Sequence, residues 1–233
     1  MSQLPLDLPY RTAFGRGDYL VSAANAAALG WIERWPGWGV PALVVHGPPG
    51  SGKTHLAHLW RERSAGILVT GAALAAVEPV LAAAETARAV AIDDSDRAAE
   101  IPLFHLYNRC IERGISLFLT ARQPPAAWPI ALADLASRLR AAPVAGIAAP
   151  DDALLGAVLV KHFADRQLRV APEIINYLLR RMERSFAAAA ALVGALDRLA
   201  LVTGRPVTIP LARRVLATLG NQPASSPSDL GVT

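Results

Sequence analysis

A glycine-rich stretch constrains the fold of this 233-residue chain more than any other feature. It follows the short apolar run Ala42 to His46 and precedes a helical segment. Glycines let backbone N–H groups curl around phosphate oxygens, and a helix that begins directly behind them points its positive end at the same anion. The pattern predicts a phosphate-binding loop in which Lys53 neutralises β and γ phosphates and Thr54 offers its hydroxyl to Mg²⁺. The eight loop residues are Gly47, Pro48, Pro49, Gly50, Ser51, Gly52, Lys53 and Thr54.

Polar side chains follow two later apolar runs. Ala89 to Ile92 is followed by Asp93 and Asp94, and Ile115 to Leu119 by Thr120. Because the carboxyl ends of parallel strands meet at one edge of a sheet, we expect these side chains beside the loop. Asp93 would hold Mg²⁺ through water, Asp94 would orient an attacking water, and Thr120 would sense the γ-phosphate. The structural alternatives are helix-capping aspartates and an ordinary strand-terminal threonine.

Apolar runs alternate with helical segments over the first 150 residues, a pattern that favours a parallel sheet with helices on both faces. Only helices are predicted after Pro150. The fold class is therefore α/β, a P-loop parallel-sheet sandwich followed by a small all-helical lid domain. The predicted strands are 42–46, 66–70, 89–92 and 115–120. The predicted helices are 21–32, 54–64, 72–87 with an interruption near Pro79, 101–113, 152–166, 172–184, 186–202 and 209–219.

These elements divide the chain into four parts. An extended leader covers 1–11, the nucleotide-binding domain 12–150, and the lid 151–220. The tail, 221–233, is rich in Pro, Ser, Asn, Asp and Gly, a composition typical of disorder.

Composition narrows the class of protein. A hydrophobic share of 53% excludes wholesale disorder, and a single cysteine, Cys110, excludes an internal disulfide. The net charge of +4 comes from the lid, since residues 151–220 hold ten basic and six acidic residues while residues 1–150 hold 13 and 12. The longest strongly apolar stretch, Phe186 to Leu196, is shorter than the roughly 20 residues that span a bilayer. We therefore expect a cytoplasmic protein without membrane contact that meets DNA only indirectly or weakly.

Taken together, these motifs resemble those of AAA+ proteins and, within that class, the DnaA family of replication initiators. The resemblance covers roughly residues 12–219 and implies a bound adenine nucleotide, ADP or ATP, with Mg²⁺. The segments similar to DnaA signatures are Ile92-Asp93-Asp94, Phe104 to Asn108, Leu135 to Leu139 and Leu192 to Leu199.

Two departures from DnaA narrow the resemblance. DnaA continues into a helix-turn-helix DNA-binding domain, whereas this chain ends within fourteen residues of Leu219. DnaA also has a long helicase-interacting N-terminal domain, whereas this leader is short and resembles the Q-L-x-L-x-L peptide that binds the sliding clamp. Gln3 would supply amide hydrogen bonds, while Leu4, Leu6 and Leu8 would fill apolar pockets.

A DnaA-like core with a clamp-binding leader resembles the regulatory inactivators of DnaA, the Hda type. The resemblance implies a negative regulator of chromosomal replication initiation, located at the nucleoid or replisome. Its partners would be DnaA and the DNA polymerase III beta sliding clamp, with homo-oligomers also open. Arg138 matches the family's arginine finger, which would act in trans on DnaA-bound ATP; Arg140 is the nearest competitor.

The lid departs from the family at its second sensor, normally an arginine that faces the nucleotide. Alignment from Arg184 places that position on Ala187, and alignment from Leu192 places it on Ala190. Both residues lack a charge, and Arg184 is the remaining substitute. We therefore expect weak or absent intrinsic ATP hydrolysis, with the nucleotide serving as a structural ligand.

Two other functions stay open. One is an AAA+ helicase loader of the DnaC type, which is expected to carry a longer helicase-binding extension. The other is a DNA-binding initiator whose DNA-binding domain is missing from this sequence.

Overall fold

The computed structural model describes residues 19–220. They form two compact units, 19–150 and 151–220. The leader with Gln3, Leu4, Leu6 and Leu8 lies outside the described residues, as does the tail 221–233.

The first unit is built on a five-stranded parallel sheet in the order β2-β3-β4-β1-β5. The α/β prediction is confirmed. The strands are β1 Ala42–His46, β2 Ile67–Thr70, β3 Ala89–Asp93, β4 Ser116–Ala121 and β5 Val144–Gly146. The helices are α1 Ala26–Arg34, α2 Lys53–Ser64, α3 Val77–Ala84, α4 Glu100–Glu112 and α5 Ala133–Ala141, with 3₁₀ turns at Gly71–Ala75, Ser95–Arg97 and Pro125–Ala127.

The central strands are apolar along their length because helices cover both faces of the sheet. In β1, Leu43 and Val45 join one core, while Ala42 and Val44 join the core on the opposite face. Trp60 of α2, fully buried, stacks on Phe118 of β4 with ring centroids 5.3 Å apart. These contacts set α2, and the loop in front of it, firmly against the sheet.

Four features of the first unit differ from the sequence prediction. Helix α1, predicted over 21–32, begins five residues later, at Ala26. The helix predicted over 72–87 is a 3₁₀ turn followed by α3, and the break lies at Ala76. Pro79 sits in the first turn of α3, where a missing N–H costs no intrahelical bond. Strand β5 and helix α5 were not predicted. Strand β5 has three residues, two of them small, and takes its place from pairing with β1.

The second unit is a bundle of four helices around its own apolar core, which includes Leu155, Phe163, Leu178 and Leu196. Helix α7 stops five residues short of its predicted end. The chain then turns so that Ser185 caps α8 by accepting from Ala188 N at 3.0 Å. The helices are α6 Asp152–Asp165, α7 Pro172–Leu179, α8 Phe186–Thr203 and α9 Ile209–Gly220.

Among residues 19–220, α8 is the one helix whose length and apolar composition would allow it to span a membrane. It is longer than the eleven-residue stretch singled out in the sequence. Core helices of globular domains also meet the criteria, and α8 buries Leu192, Val193 and Leu196 in the lid core. It also carries two charged residues in succession, Asp197 and Arg198.

Candidate nucleotide-binding site

The glycine-rich loop connects β1 to α2, which begins at Lys53. Gly50 and Gly52 have φ values of 69° and 94°, a left-handed backbone that glycine adopts without strain. Gly47 is required for a different reason: a Cβ there would lie 2.6 Å from the carbonyl oxygen of Ile147 and 2.8 Å from Ser51 Oγ. The loop therefore keeps its backbone N–H groups at the amino terminus of α2, an arrangement suited to phosphate.

Gly47→Ala is expected to destabilise the protein by about 1–3 kcal/mol, because the new methyl group meets two atoms that pack tightly against the loop. Thermal unfolding measures the loss. Gly30→Ala in α1 is the matched control. A Cβ at this position would meet nothing within 4 Å, so the unfolding temperature should be unchanged or slightly higher. Equal stability of the two variants would contradict this description of the loop.

Lys53 is buried, with 7% of its surface exposed, and its Nζ donates to the carbonyl oxygens of Gly47 at 2.8 Å and Pro48 at 2.9 Å. Burial lowers the pKa of Lys53, and the carboxylates of Asp94 and Asp93 oppose that shift. The ammonium group is thus held at the mouth of the loop, close to acidic groups and poorly hydrated. A partly desolvated cation there attracts phosphate more strongly than one in water.

Strand order brings Thr54, Asp93 and Thr120 together. Strand β4 lies between β1 and β3, so Thr120 stands between the loop and Asp93. Asp93 Oδ2 accepts from Thr54 Oγ1 at 2.7 Å, and Asp93 Oδ1 accepts from the hydroxyl of the fully buried Thr120. The three predicted side chains form one hydrogen-bonded group at the carboxyl edge of the sheet.

Asp94 is placed differently from Asp93. Its backbone is left-handed, with φ at 51°, and its N–H donates to Thr120 Oγ1 at 3.1 Å. Its carboxylate lies 4.0 Å from the guanidinium of Arg97. The structure brings Asp94 to the site through its backbone, and its predicted water-orienting role stays a prediction.

Asp96 is a residue that the sequence analysis missed. Its Oδ2 accepts from the backbone N–H of Arg122 at 3.0 Å, which joins the segments that follow β3 and β4. The sequence signal was present, because Asp96 is the third acid in the run Asp93-Asp94-Ser95-Asp96.

The residues present fit a magnesium ion that accompanies a nucleotide. Mg²⁺ prefers oxygen ligands and usually takes one or two from the protein and the rest from water and phosphate. Thr54 and Asp93 supply two such oxygens on neighbouring side chains. No cluster of three or more His, Cys, Asp or Glu suited to a metal occurs between residues 19 and 220.

Arg138 lies on the exposed face of α5, with its guanidinium 5.8 Å from the centre of the Phe104 ring. It borders a cavity together with Ala42, the first residue of β1. The phosphate loop begins at the opposite end of β1. At roughly 3.3 Å per residue, this five-residue strand separates Ala42 from the loop by about 16 Å. Arg138 is therefore remote from the phosphate loop of its own chain. Arg140, also exposed, donates through Nε to the carbonyl oxygen of Ala136 at 3.0 Å.

The lid positions considered for the second sensor lie at the start of α8. Ala187 is exposed and Ala190 is half-buried. Arg184 pairs with Asp152 at the start of α6, at 3.1 Å and 3.2 Å to the two carboxylate oxygens. Arg184 therefore forms an ion pair with an acidic residue of the lid itself.

Known proteins share both the lid and the overall fold. A family model described as "Hda, lid domain" matches residues 152–216. Domain III of DnaA from Thermotoga maritima is similar at a TM-score of 0.78 and 17% identity, over 90% of this chain and 98% of that one. AMPPCP-bound DnaA from Aquifex aeolicus is similar at 0.64 and 17%, over 80% of this chain. A RuvB mutant from Thermotoga maritima is similar at 0.66 and 16%, over 84% of this chain.

The chain spans about two thirds of the longer DnaA and RuvB chains, 64% and 68% respectively. Its sheet order, phosphate loop and helical lid give the chain the P-loop fold of these AAA+ proteins. The lid match relates residues 152–216 to the Hda lid domain, and the chain shares its fold with DnaA. The AAA+ fold predicted from the sequence is confirmed, and the lid match supports the predicted resemblance to the Hda type.

Proposed function

We propose that this protein is a negative regulator of chromosomal replication initiation that stimulates hydrolysis of ATP bound to DnaA. One observation carries the proposal: the exposed Arg138 lies at the end of the sheet opposite the phosphate loop of its own chain. In this proposal Arg138 therefore acts in trans, on a nucleotide bound to a neighbouring subunit. The match to the Hda lid supports DnaA as that neighbour.

The chain's own loop binds an adenine nucleotide, ADP or ATP with Mg²⁺, in this proposal. Backbone N–H groups and Lys53 hold the phosphates, while Thr54 and Asp93 hold the metal ion. The AMPPCP in a DnaA structure of the same fold supports this assignment. The nucleotide stiffens the domain that carries Arg138 and is a structural ligand rather than a fuel.

The chemistry on DnaA is electrostatic. Negative charge spreads over the oxygens of the transferring phosphoryl group, and a guanidinium that reaches it stabilises the transition state. Arg138 suits this role because the sequence makes α5 amphipathic, burying Leu135 and Leu139 while exposing Arg138. Hydrolysis leaves DnaA in its ADP form, which ends initiation.

The test measures the rate at which purified DnaA hydrolyses bound ATP in the presence of the sliding clamp loaded on DNA. Addition of this protein is expected to raise that rate, and omission of the clamp is expected to remove most of the increase. A rate that does not respond to the protein would contradict the proposal.

Clamp binding through the leader is a separate prediction. Changing both Gln3 and Leu8 to alanine should abolish retention on immobilised clamp, because it removes the amide and one apolar anchor of an extended peptide. Asp7→Ala is the matched control, since Asp7 occupies a spacer position between the anchors and retention should be kept. Loss of binding in the control, or its survival in the double variant, would refute the motif.

Weak intrinsic hydrolysis is a further expected result. The lid presents Ala187 and Ala190 at the second-sensor positions, and Arg184 is paired with Asp152. A multiple-turnover assay of the protein alone should therefore give a rate far below the 1–100 s⁻¹ that is typical of phosphoryl-transfer enzymes such as kinases. Turnover comparable to those enzymes, abolished by Lys53→Ala, would contradict this expectation.

A further inference from the structure

A small cavity opens at the amino-terminal edge of the sheet, between α4 and α5. Its volume is about 260 Å³, and most of its lining is apolar, including Val40, Pro41, Ile111 and Ala142. An apolar cavity of about 150 Å³ is sufficient for benzene. This one therefore has room for a six-membered ring with one substituent.

Two polar side chains border the same cavity, Tyr107 of α4 and Arg138 of α5. Tyr107 is 4% exposed, and its hydroxyl is the polar end of a side chain that otherwise lies in the core. Arg138 makes no ion pair with any described residue, and its guanidinium interacts electrostatically with the Tyr107 phenol.

This combination selects one class of ligand. An apolar lining favours a compact hydrocarbon body, while a cation and a hydroxyl donor at its margin favour a single anionic group. A polyphosphate would bring several negative charges into a site with one cation, and burying unpaired charge is unfavourable. A carboxylate on a small ring satisfies the lining, the cation and the hydroxyl together.

We propose that this cavity binds a small organic carboxylate, whose ring fills the apolar part and whose carboxylate accepts from Tyr107 and Arg138. Binding itself does not depend on the function proposed above. Its consequence does rest on that function: a bound acid engages Arg138 and competes with the phosphoryl group on DnaA. The ligand therefore lowers stimulated hydrolysis without affecting the nucleotide bound to this chain.

The probe is 4-fluorobenzoate, titrated with the full chain and followed by the ¹⁹F signal. We expect saturable binding in the millimolar range or tighter, as befits a ligand of so few atoms. Tyr107→Phe should weaken binding about fivefold and Arg138→Ala about tenfold, through lost charge-assisted hydrogen bonds. Arg140→Ala is the matched control and should bind as the unmodified protein does. 4-Fluorobenzyl alcohol, which has the same ring without the charge, should bind about tenfold more weakly.

The variants are expected to fold, so a loss of binding can be assigned to the cavity. Tyr107→Phe keeps the ring in place and removes only the hydroxyl, so the midpoint temperature of thermal unfolding should change little. Ala142→Leu provides a second variant, since its side chain fills the cavity and should abolish binding. Absence of saturable binding at about 20 mM probe, or equal affinity of Arg138→Ala and the unmodified protein, would overturn the proposal. Binding that leaves stimulated hydrolysis unchanged would instead count against Arg138 as the finger.

Discussion

Replacing Arg138 by alanine is expected to reduce the stimulated hydrolysis of DnaA-bound ATP by about 10³-fold or more. Arginine fingers contribute about 10³ to 10⁵ in rate, because the guanidinium neutralises charge that develops only in the transition state. Arg138 is exposed and remote from its own loop, so the variant should fold and bind nucleotide normally. Single-turnover hydrolysis on DnaA, with clamp and DNA present, measures the effect.

Arg140→Ala is the matched control for this experiment. Arg140 lies on the same helix, is also exposed, and donates to a carbonyl oxygen of its own helix. We expect it to retain stimulation within about twofold, since exposed substitutions away from a reacting group have small effects. If Arg140→Ala abolished stimulation and Arg138→Ala did not, the finger would be Arg140.

Replacing Lys53 by alanine is expected to weaken binding of ATP or ADP to this protein by about 100-fold or more. The change removes a cation in a site where water is largely excluded, and losing one partner of such a charge pair costs about 2–5 kcal/mol. It also removes the hydrogen bonds to the carbonyl oxygens of Gly47 and Pro48. Titration with a fluorescent adenine nucleotide measures the affinity.

Lys161→Ala is the control, since Lys161 is the only other lysine of the chain. It lies in the lid and pairs with Asp165 at 2.9 Å. Exposed pairs of this kind contribute little to stability, so nucleotide affinity should be unchanged. Unimpaired nucleotide binding by a folded Lys53→Ala protein would disprove the assignment of the loop.

The leader and its clamp-binding residues stay predictions, as does the role of the lid at the second sensor. The acidic run marks Asp96 as a polar residue near the site, but its partner cannot be predicted from the sequence. The same holds for Tyr107, because the significance of both residues depends on which backbone or cavity they meet. Asp96 matters because it accepts from Arg122 N, which is 26 residues away along the chain. No local sequence pattern predicts a contact between residues so far apart.

The amino-acid sequence by itself determined the phosphate loop, because glycine freedom, the lysine charge and the helix start all act within eight residues. It also determined that Asp93 and Thr120 share an edge with the loop, since parallel strands align their carboxyl ends. Only the tertiary structure decided which of these residues touch. The order β2-β3-β4-β1-β5 depends on long-range pairing, and it places β4 where Thr120 meets Asp93. Folding likewise carried Arg138 away from the phosphate loop of its own chain, because tertiary packing decides where the amphipathic α5 lies on the sheet.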